Sequence, residues 1–545
     1  MQQGDEWHHW VTDLEGRLMV KDGEGYYRTA TKAQQEEWQS AYNAGESKKL
    51  SFLENRIQVR QNKATRASAN AKESVRPNHL SDFPTYGEIK SLVILVDFPD
   101  RQFQNGADDR NYYTDFMMKE GFDDLNSHGS VRDYFVENSM GLFNPQFDVY
   151  GPVRMSQETA HYGKNNALGN DIYPHEMVIE ACTQLDGEVD FSQYDNDGDG
   201  YVDVIQIIFA GEGENSTNIS NDIWPHSFSV VSAQREKIEF DGKIIDNYIC
   251  TNELYYGLKD GIGTFCHEFS HVLGLQDVYN STNHGVINGE YDVMDSGLYL
   301  GKSDSGPGKE GRFPCALSAY ERYELGWITP DTLIANKYNG DTLSCLTTTN
   351  KALVFPVKSE SDDIRDGEYF ILENRQKTGW DTHIPGHGLL IWHIDYVKSL
   401  WASNKVNSDM DHPCILLVKA DNHLATASGD PFPGSREINK YTATTSPAFL
   451  GWDKKGSGKG MTASLNNAAI TDIKEEWIDH WSTNEMVVTF SFTDDGPDHV
   501  TTIENIEEDA MTKGISSHPR RIWRNGQLLI ETPAGLYDLQ GHRLK

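Results

Sequence analysis

The chain has 545 residues and a formal net charge of −35 at pH 7, with 48 Lys and Arg against 83 Asp and Glu. That length calls for several domains and permits a large core, while so acidic a balance speaks against nucleic acid and anionic membrane surfaces as partners. No hydrophobic run approaches the roughly 18 residues needed to cross a bilayer, and the six cysteines contain no Cys-x-x-Cys pair, which argues against a thiolate metal site or a redox motif.

The first six residues are polar and lack the apolar centre of a signal peptide, so the chain reads as one whose export signal has been removed. Residues 6 to 30 carry Trp7, Trp10, Tyr26 and Tyr27 among Gly-containing turns, which predicts a small hairpin-like unit. Residues 31 to 75 are rich in Ala, Gln, Glu, Lys and Arg, which predicts a polar helix or linker. Together residues 1–80 are expected to form a small α+β pro-region. Cys182 is the first cysteine, so no thiol from that region can block a metal downstream.

A second unit is expected over 81–330. Ser91 to Asp97 reads as a buried strand, 128–139 as an amphipathic helix and Val202 to Ala210 as another strand, mixed in the α+β manner. Between them, Asp195, Asp197, Asp199 and Asp203 alternate around Gly198 and Gly200. Calcium takes about six to eight oxygens, and this run offers those four carboxylates and the Tyr201 carbonyl. Position twelve of an EF-hand loop would be Gln206 instead of Glu, and an apolar strand follows instead of a helix. A structural calcium loop outside an EF-hand is the expectation.

Cys266-His267-Glu268-Phe269-Ser270-His271 comes next. On a helix, residues four apart share a face, so His267 and His271 can present two imidazoles to one zinc ion, with Glu268 beside them as general base. Gly274 stands where the helix should stop, and the turn would return Asp277 as third ligand, leaving the fourth position for water. Cys266, beside a ligand, is expected to be buried and unreactive. Some twenty residues on, the turn-like run Glu290 to Gly297 centres on Met294, in the position of a Met turn beneath the metal ligands.

After Trp327 and Pro330 the texture becomes period-two, in 368–376, 388–396 and 484–493, which predicts a β-sandwich over 331–495. His383, His387 and His393 look like a cluster, but alternation separates them and they read as structural. Residues 496–545 begin as an acidic linker and end in Gly535-Leu536-Tyr537-Asp538-Leu539-Gln540-Gly541, a tail that resembles the sorting signals of the type IX secretion system of Bacteroidetes. An even cysteine count permits disulfides in an exported protein, with no pairing readable.

Several stretches resemble the secreted metallopeptidases of the immune inhibitor A family, whose pattern His-Glu-x-x-His-x-x-Gly-x-x-Asp is met by His267, Glu268, His271, Gly274 and Asp277. The others are Ser130 to Ser139 with Phe147 to Gly151, Ile223 to His226, Leu317 to Trp327, Leu372 to Gln376 and Gly386 to His393. Ser296 stands two residues after Met294, so a tyrosine ligand from that turn is not supported. The resemblance implies a zincin/metzincin-like catalytic domain acting on protein or peptide substrates. The expectation is therefore a secreted or surface-associated, monomeric zinc endopeptidase made as a latent precursor. The alternatives are a calcium-dependent surface-binding protein with an inert peptidase domain, and a zinc amidase.

Overall fold

The computed structural model describes residues 83–494, interrupted at 105–108, 125–126, 166–170, 235, 281–284, 302–312, 336, 338–339, 360, 362, 424–426, 458–459 and 479–484, together with residues 31–32 and backbone strands at both ends. At the amino end, Gln2–Gly4, His9–Thr12, Leu18–Lys21 and Tyr27–Thr29 form a four-stranded antiparallel sheet in chain order. At the carboxyl end, Arg520–Arg524, Gln527–Thr532, Gly535–Tyr537 and Arg543–Leu544 do the same. The polar stretch 33–75, the linker 495–519 and residues 538–541 of the sorting-like tail lie outside the described residues.

The first large unit is a mixed sheet of β1 (Gly87–Asp97), β2 (Phe143–Arg154), β3 (Ile205–Glu212), β4 (His226–Ser229), β5 (Asn247–Tyr255) and β6 (Leu258–Lys259). Its order is β6-β5-β3-β1-β2, with β4 also paired to β5. β1 is parallel to β2 and β3, and β3 to β5; β4 and β6 run antiparallel to β5. Side chains alternate along a strand, so β1 sends Val93 and Leu95 to one face and Leu92, Ile94 and Val96 to the other.

Helices cover both faces. Met177, Val178 and Ala181 of α2 (Pro174–Leu185) pack on the second face. The first takes α1 (Val131–Asn138), started by a capping box between Ser130 and Asp133, and α3 (Ile262–Val272). Phe269 of α3 is fully buried, its ring 5.1 Å from Phe135 and 5.5 Å from Phe147. Truncating such a side chain costs about 3–5 kcal/mol.

The strand expected over Val202 to Ala210 is two. Tyr201–Val202 joins a small sheet with Lys243–Ile245, whereas β3 starts at Ile205 in the large sheet. The break is at Asp203, whose N–H donates to Tyr194 O and whose carboxylate turns back to Asn196.

Downstream lie β7 (Asp331–Thr332), β8 (Asp341–Leu343), β9 (Leu353–Lys358), β10 (Glu368–Arg375), β11 (Gly388–Asp395), β12 (Ile415–Leu417), β13 (Phe432–Pro433), β14 (Tyr441–Thr442), β15 (Ala469–Ile478) and β16 (Glu485–Thr493). They build two sheets, β7-β9-β10-β11-β12 with β13 on β11, and β8-β16-β15-β14. β10 and β11 are buried at every position. Phe370, Leu372, Leu389 and Ile391 face Ile470, Val488 and Phe490 of the other sheet. Ile371, Leu390, Trp392 and Ile394 instead join the cluster that contains α3, so one continuous apolar core runs across residue 330.

The junction is also polar. Arg375 donates to Asp381 Oδ2 (2.6 Å), Glu373 Oε1 (3.2 Å) and Ala316 O (3.0 Å). Arg322, on α4 (Ala319–Glu324), donates to Asn138 Oδ1 (2.8 Å) and Leu317 O (2.9 Å). Both guanidiniums are buried, a geometry tolerated because each is paired or hydrogen-bonded. The resemblance stretches around 317–327 and 372–376 are thus a joint between the two halves.

All six cysteines are buried and none is in a disulfide. Among the described residues, no helix is long and apolar enough to cross a membrane.

Candidate metal centre

α3 ends because Gly274 takes φ +102°, a backbone angle that side chains resist. The N–H of Gly274 donates to His271 O (2.9 Å) and that of Leu275 to Ser270 O (3.0 Å), which closes the last turn as a Schellman motif. This stop has a second consequence. It puts Leu275 O 2.8 Å from His271 Nδ1, while Val293 O, beside Met294, lies 2.9 Å from His267 Nδ1. A carbonyl only accepts, so each Nδ1 carries a hydrogen, and in the neutral rings both Nε2 atoms present lone pairs.

Those lone pairs face a carboxylate. Asp277 Oδ1 lies 3.2 Å from His267 Nε2 and 3.3 Å from His271 Nε2, and it is buried without a hydrogen-bond partner. Three acceptors converging on one point require a cation, either protons or a metal. Burial drives both imidazoles towards neutrality, but in the metal-free chain Asp277 overrides it and lifts His271 to about 9. His267 is raised as well, against the same effect of burial. Two imidazoles and a carboxylate are donors that zinc accepts, so the residues present fit that ion.

Glu268 is buried on the same helix turn; burial pushes its carboxyl up and the two imidazoles oppose this. Met294 is buried, its N–H donating to Asp292 Oδ1 (2.8 Å) and its carbonyl accepting from Val278 N–H (3.0 Å). Burial, and after it the neighbouring Glu321, push Asp292 well above the usual carboxylate range, while Glu321 is raised to about 7, again chiefly by burial.

Several neighbours of the cluster carry no sequence signal: the Val293 and Leu275 carbonyls, Tyr279, whose hydroxyl is pushed up by burial and then by Asp277 and Glu268, and Asn404. Asn404 Oδ1 accepts the Asp277 N–H (2.8 Å) and its Nδ2 donates to Asp277 Oδ2 (2.6 Å). Val293 and Asn404 come from loops farther along the chain, where spacing carries no information.

The acidic loop is arranged differently. Asp195, Asp197 and Asp199 come together, but Asp203 Oδ2 accepts from Asn196 N–H (3.2 Å) and is not among them. Asp195 takes the N–H groups of Gly198 (2.8 Å) and Gly200 (3.1 Å) and, at 2.5 Å, Lys243 Nζ. Asp197 takes Asp199 N–H (3.0 Å) and Asp199 takes Tyr201 N–H (2.8 Å). A further group, Asp395, His412 and Cys414, is buried. Its His412 Nε2 is at hydrogen-bonding distance, 2.8 Å, from Asp395 Oδ2, which also accepts Gly456 N–H (2.6 Å). The other ring nitrogen, His412 Nδ1, is buried without a hydrogen-bond partner. His383, His387 and His393 are apart: His387 meets Glu475, His393 meets Glu368, and His383 lies against Phe313.

A mixed sheet, a helix carrying His, Glu and His, and a carboxylate returned to it support the class of a metallopeptidase catalytic domain. Residues 84–328 match the family described as immune inhibitor A peptidase M6, catalytic domain. The chain is 25% identical over 293 residues to the pre-pro-metalloprotease PrtV of Vibrio cholerae, an alignment that covers 46% of this chain and 31% of that protein. It is 27% identical over 256 residues to immune inhibitor A of Bacillus thuringiensis subsp. alesti, covering 39% and 37% respectively. The chain thus spans about a third of the length of the curated relatives it matches. These likenesses support a metallopeptidase of that family.

Proposed function

We propose that the chain is a secreted zinc endopeptidase with a zincin/metzincin-like catalytic domain, in which His267, His271 and Asp277 hold zinc. The observation that carries this reading is the convergence of two Nε2 atoms on a buried carboxylate oxygen that has no other partner. Zinc bound there supplies Lewis acidity towards the scissile carbonyl and lowers the pKa of water. Glu268 accepts the proton of the attacking water and hands it to the leaving amine. The Val293 and Leu275 carbonyls fix which nitrogen of each imidazole faces the centre. Met294 packs beneath the ligands and holds the turn that provides Val293 O.

The division into a pro-region (1–80), catalytic domain (81–330), β-sandwich (331–495) and sorting-like tail (496–545) belongs to the same proposal. The relative's name, a pre-pro-metalloprotease, supports a latent, exported precursor. Calcium is proposed as a structural ion for Asp195, Asp197 and Asp199 with the Tyr201 carbonyl; Lys243 must leave Asp195 for it, and Asp203 must turn from Asn196. The test is hydrolysis of an unfolded protein by the chain and by Glu268→Gln, before and after removal of residues 1–80, with and without a zinc chelator. Cleavage that survives either the chelator or the substitution refutes the reading.

A further inference from the structure

The geometry points to Asn404 as the positioning residue for the third metal ligand, which makes the segment after residue 330 part of the metal centre. This rests on the zinc reading of His267, His271 and Asp277. Asn404 lies well outside the segment 84–328 that matches the peptidase family. Its carboxamide nevertheless grips Asp277 twice, at the backbone N–H (2.8 Å) and at Oδ2 (2.6 Å), leaving Oδ1 to face the imidazoles. The grip decides which carboxylate oxygen meets the cation and at what angle. An amide is uncharged, so it orients Asp277 without cancelling the negative charge the metal needs.

Asn404 is itself held in place. It follows the short helix Lys398–Trp401 and takes φ +51°, a left-handed angle that Asn tolerates better than most residues. Its N–H donates to Trp401 O (3.1 Å) and that of Lys405 to Leu400 O (2.9 Å). Buried Trp401 is anchored in turn by its Nε1, which donates to Tyr320 Oη at 3.2 Å. Beside it a separate clamp fastens the same two segments without touching Asp277: Asn407 Nδ2 donates to Val278 O (2.6 Å) and Ile415 O (2.7 Å).

That neighbour supplies the control. In the full chain, Asn404→Gly keeps the left-handed turn and deletes the carboxamide, while Asn407→Ala cuts the clamp alone. Zinc dissociation constants from competition with a chromophoric chelator, and Tm of the metal-free proteins, are measured for both. Asn404→Gly is expected to weaken zinc binding about 10–100-fold, the usual effect of losing a group that orients a ligand, and to lower metal-free Tm about as much as Asn407→Ala does, since each deletes side-chain hydrogen bonds. Asn407→Ala is expected to lower Tm and leave zinc affinity within about twofold. Unchanged zinc affinity in Asn404→Gly overturns the proposal, as does equal weakening in both variants or loss of a cooperative metal-free transition in Asn404→Gly. His271→Ala is the independent arm: if it binds zinc as tightly as the parent, the zinc reading itself fails.

Discussion

Two clusters of carboxylates in this chain look alike on paper and differ in what answers their charge. In the loop at 195–199, backbone N–H groups meet each Asp and Lys243 sits on Asp195. At the end of α3, Asp277 Oδ1 is buried against two imidazole nitrogens and has no donor unless those rings are protonated. A hydrogen-bonded carboxylate beside a lysine is electrostatically complete, whereas acceptors gathered in the interior with none are stable only around a cation. Converging lone pairs are therefore stronger evidence for a metal than a count of acidic residues.

The largest expected effect concerns the buried cluster. Glu268→Gln should reduce protein hydrolysis by about 10²–10⁴-fold, the share of a general base, with bound zinc, measured by atomic absorption, still stoichiometric. Activity retained by that variant would refute the proposed chemistry, while leaving the inert or surface-binding alternative no better off.

The exposed loop gives the next test. At about 100 times its dissociation constant, a ligand that binds only the folded state adds about 2.7 kcal/mol, so calcium should raise Tm by several degrees if the loop binds it. Lys243→Met removes the resident cation and should tighten calcium binding, read by titration calorimetry; Asp197→Ala with Asp199→Ala should abolish it. A Tm indifferent to calcium in both the parent and Lys243→Met would show that the loop does not bind calcium.

A smaller effect is expected beneath the Met turn. Unfolded carboxylic acids titrate near about 4, whereas folded Glu321 is raised to about 7 and Asp292 is also raised well above its usual range. Between those values the folded chain keeps protons that the unfolded chain has released. Stability from the pair is therefore full below about pH 4 and declines as pH rises towards 7 and beyond. Asn at position 292 retains an acceptor for Met294 N–H and removes one acid, so Asp292→Asn should gain more Tm at pH 8 than at pH 5. Parallel Tm–pH curves for parent and variant would refute the shared burial of these protons.

What the sequence made legible was local. His267, His271 and Asp277 come together because helical spacing and a glycine stop bring near neighbours in the chain to one point. Val293 O, which orients His267, and Asn404 arrive from other loops, where Asn reads as an ordinary turn residue. Period-two texture marked strands after residue 330, but β10 and β11 are buried on both faces. Burial on both sides erases the apolar–polar contrast that would reveal where a strand packs. The acidic loop shows the opposite failure: Asp203 has the right spacing, yet its carboxylate is turned towards Asn196.

The double-faced sheet also limits how this molecule can be taken apart. Cutting near residue 330 would not separate two finished bodies, because Ile371, Leu390, Trp392 and Ile394 form a shared wall with the helix that carries the histidines. A fragment ending there would expose the other side of that wall to water, a broad greasy patch of the kind that drives aggregation. Any truncation of this chain should therefore keep both sides of that wall together.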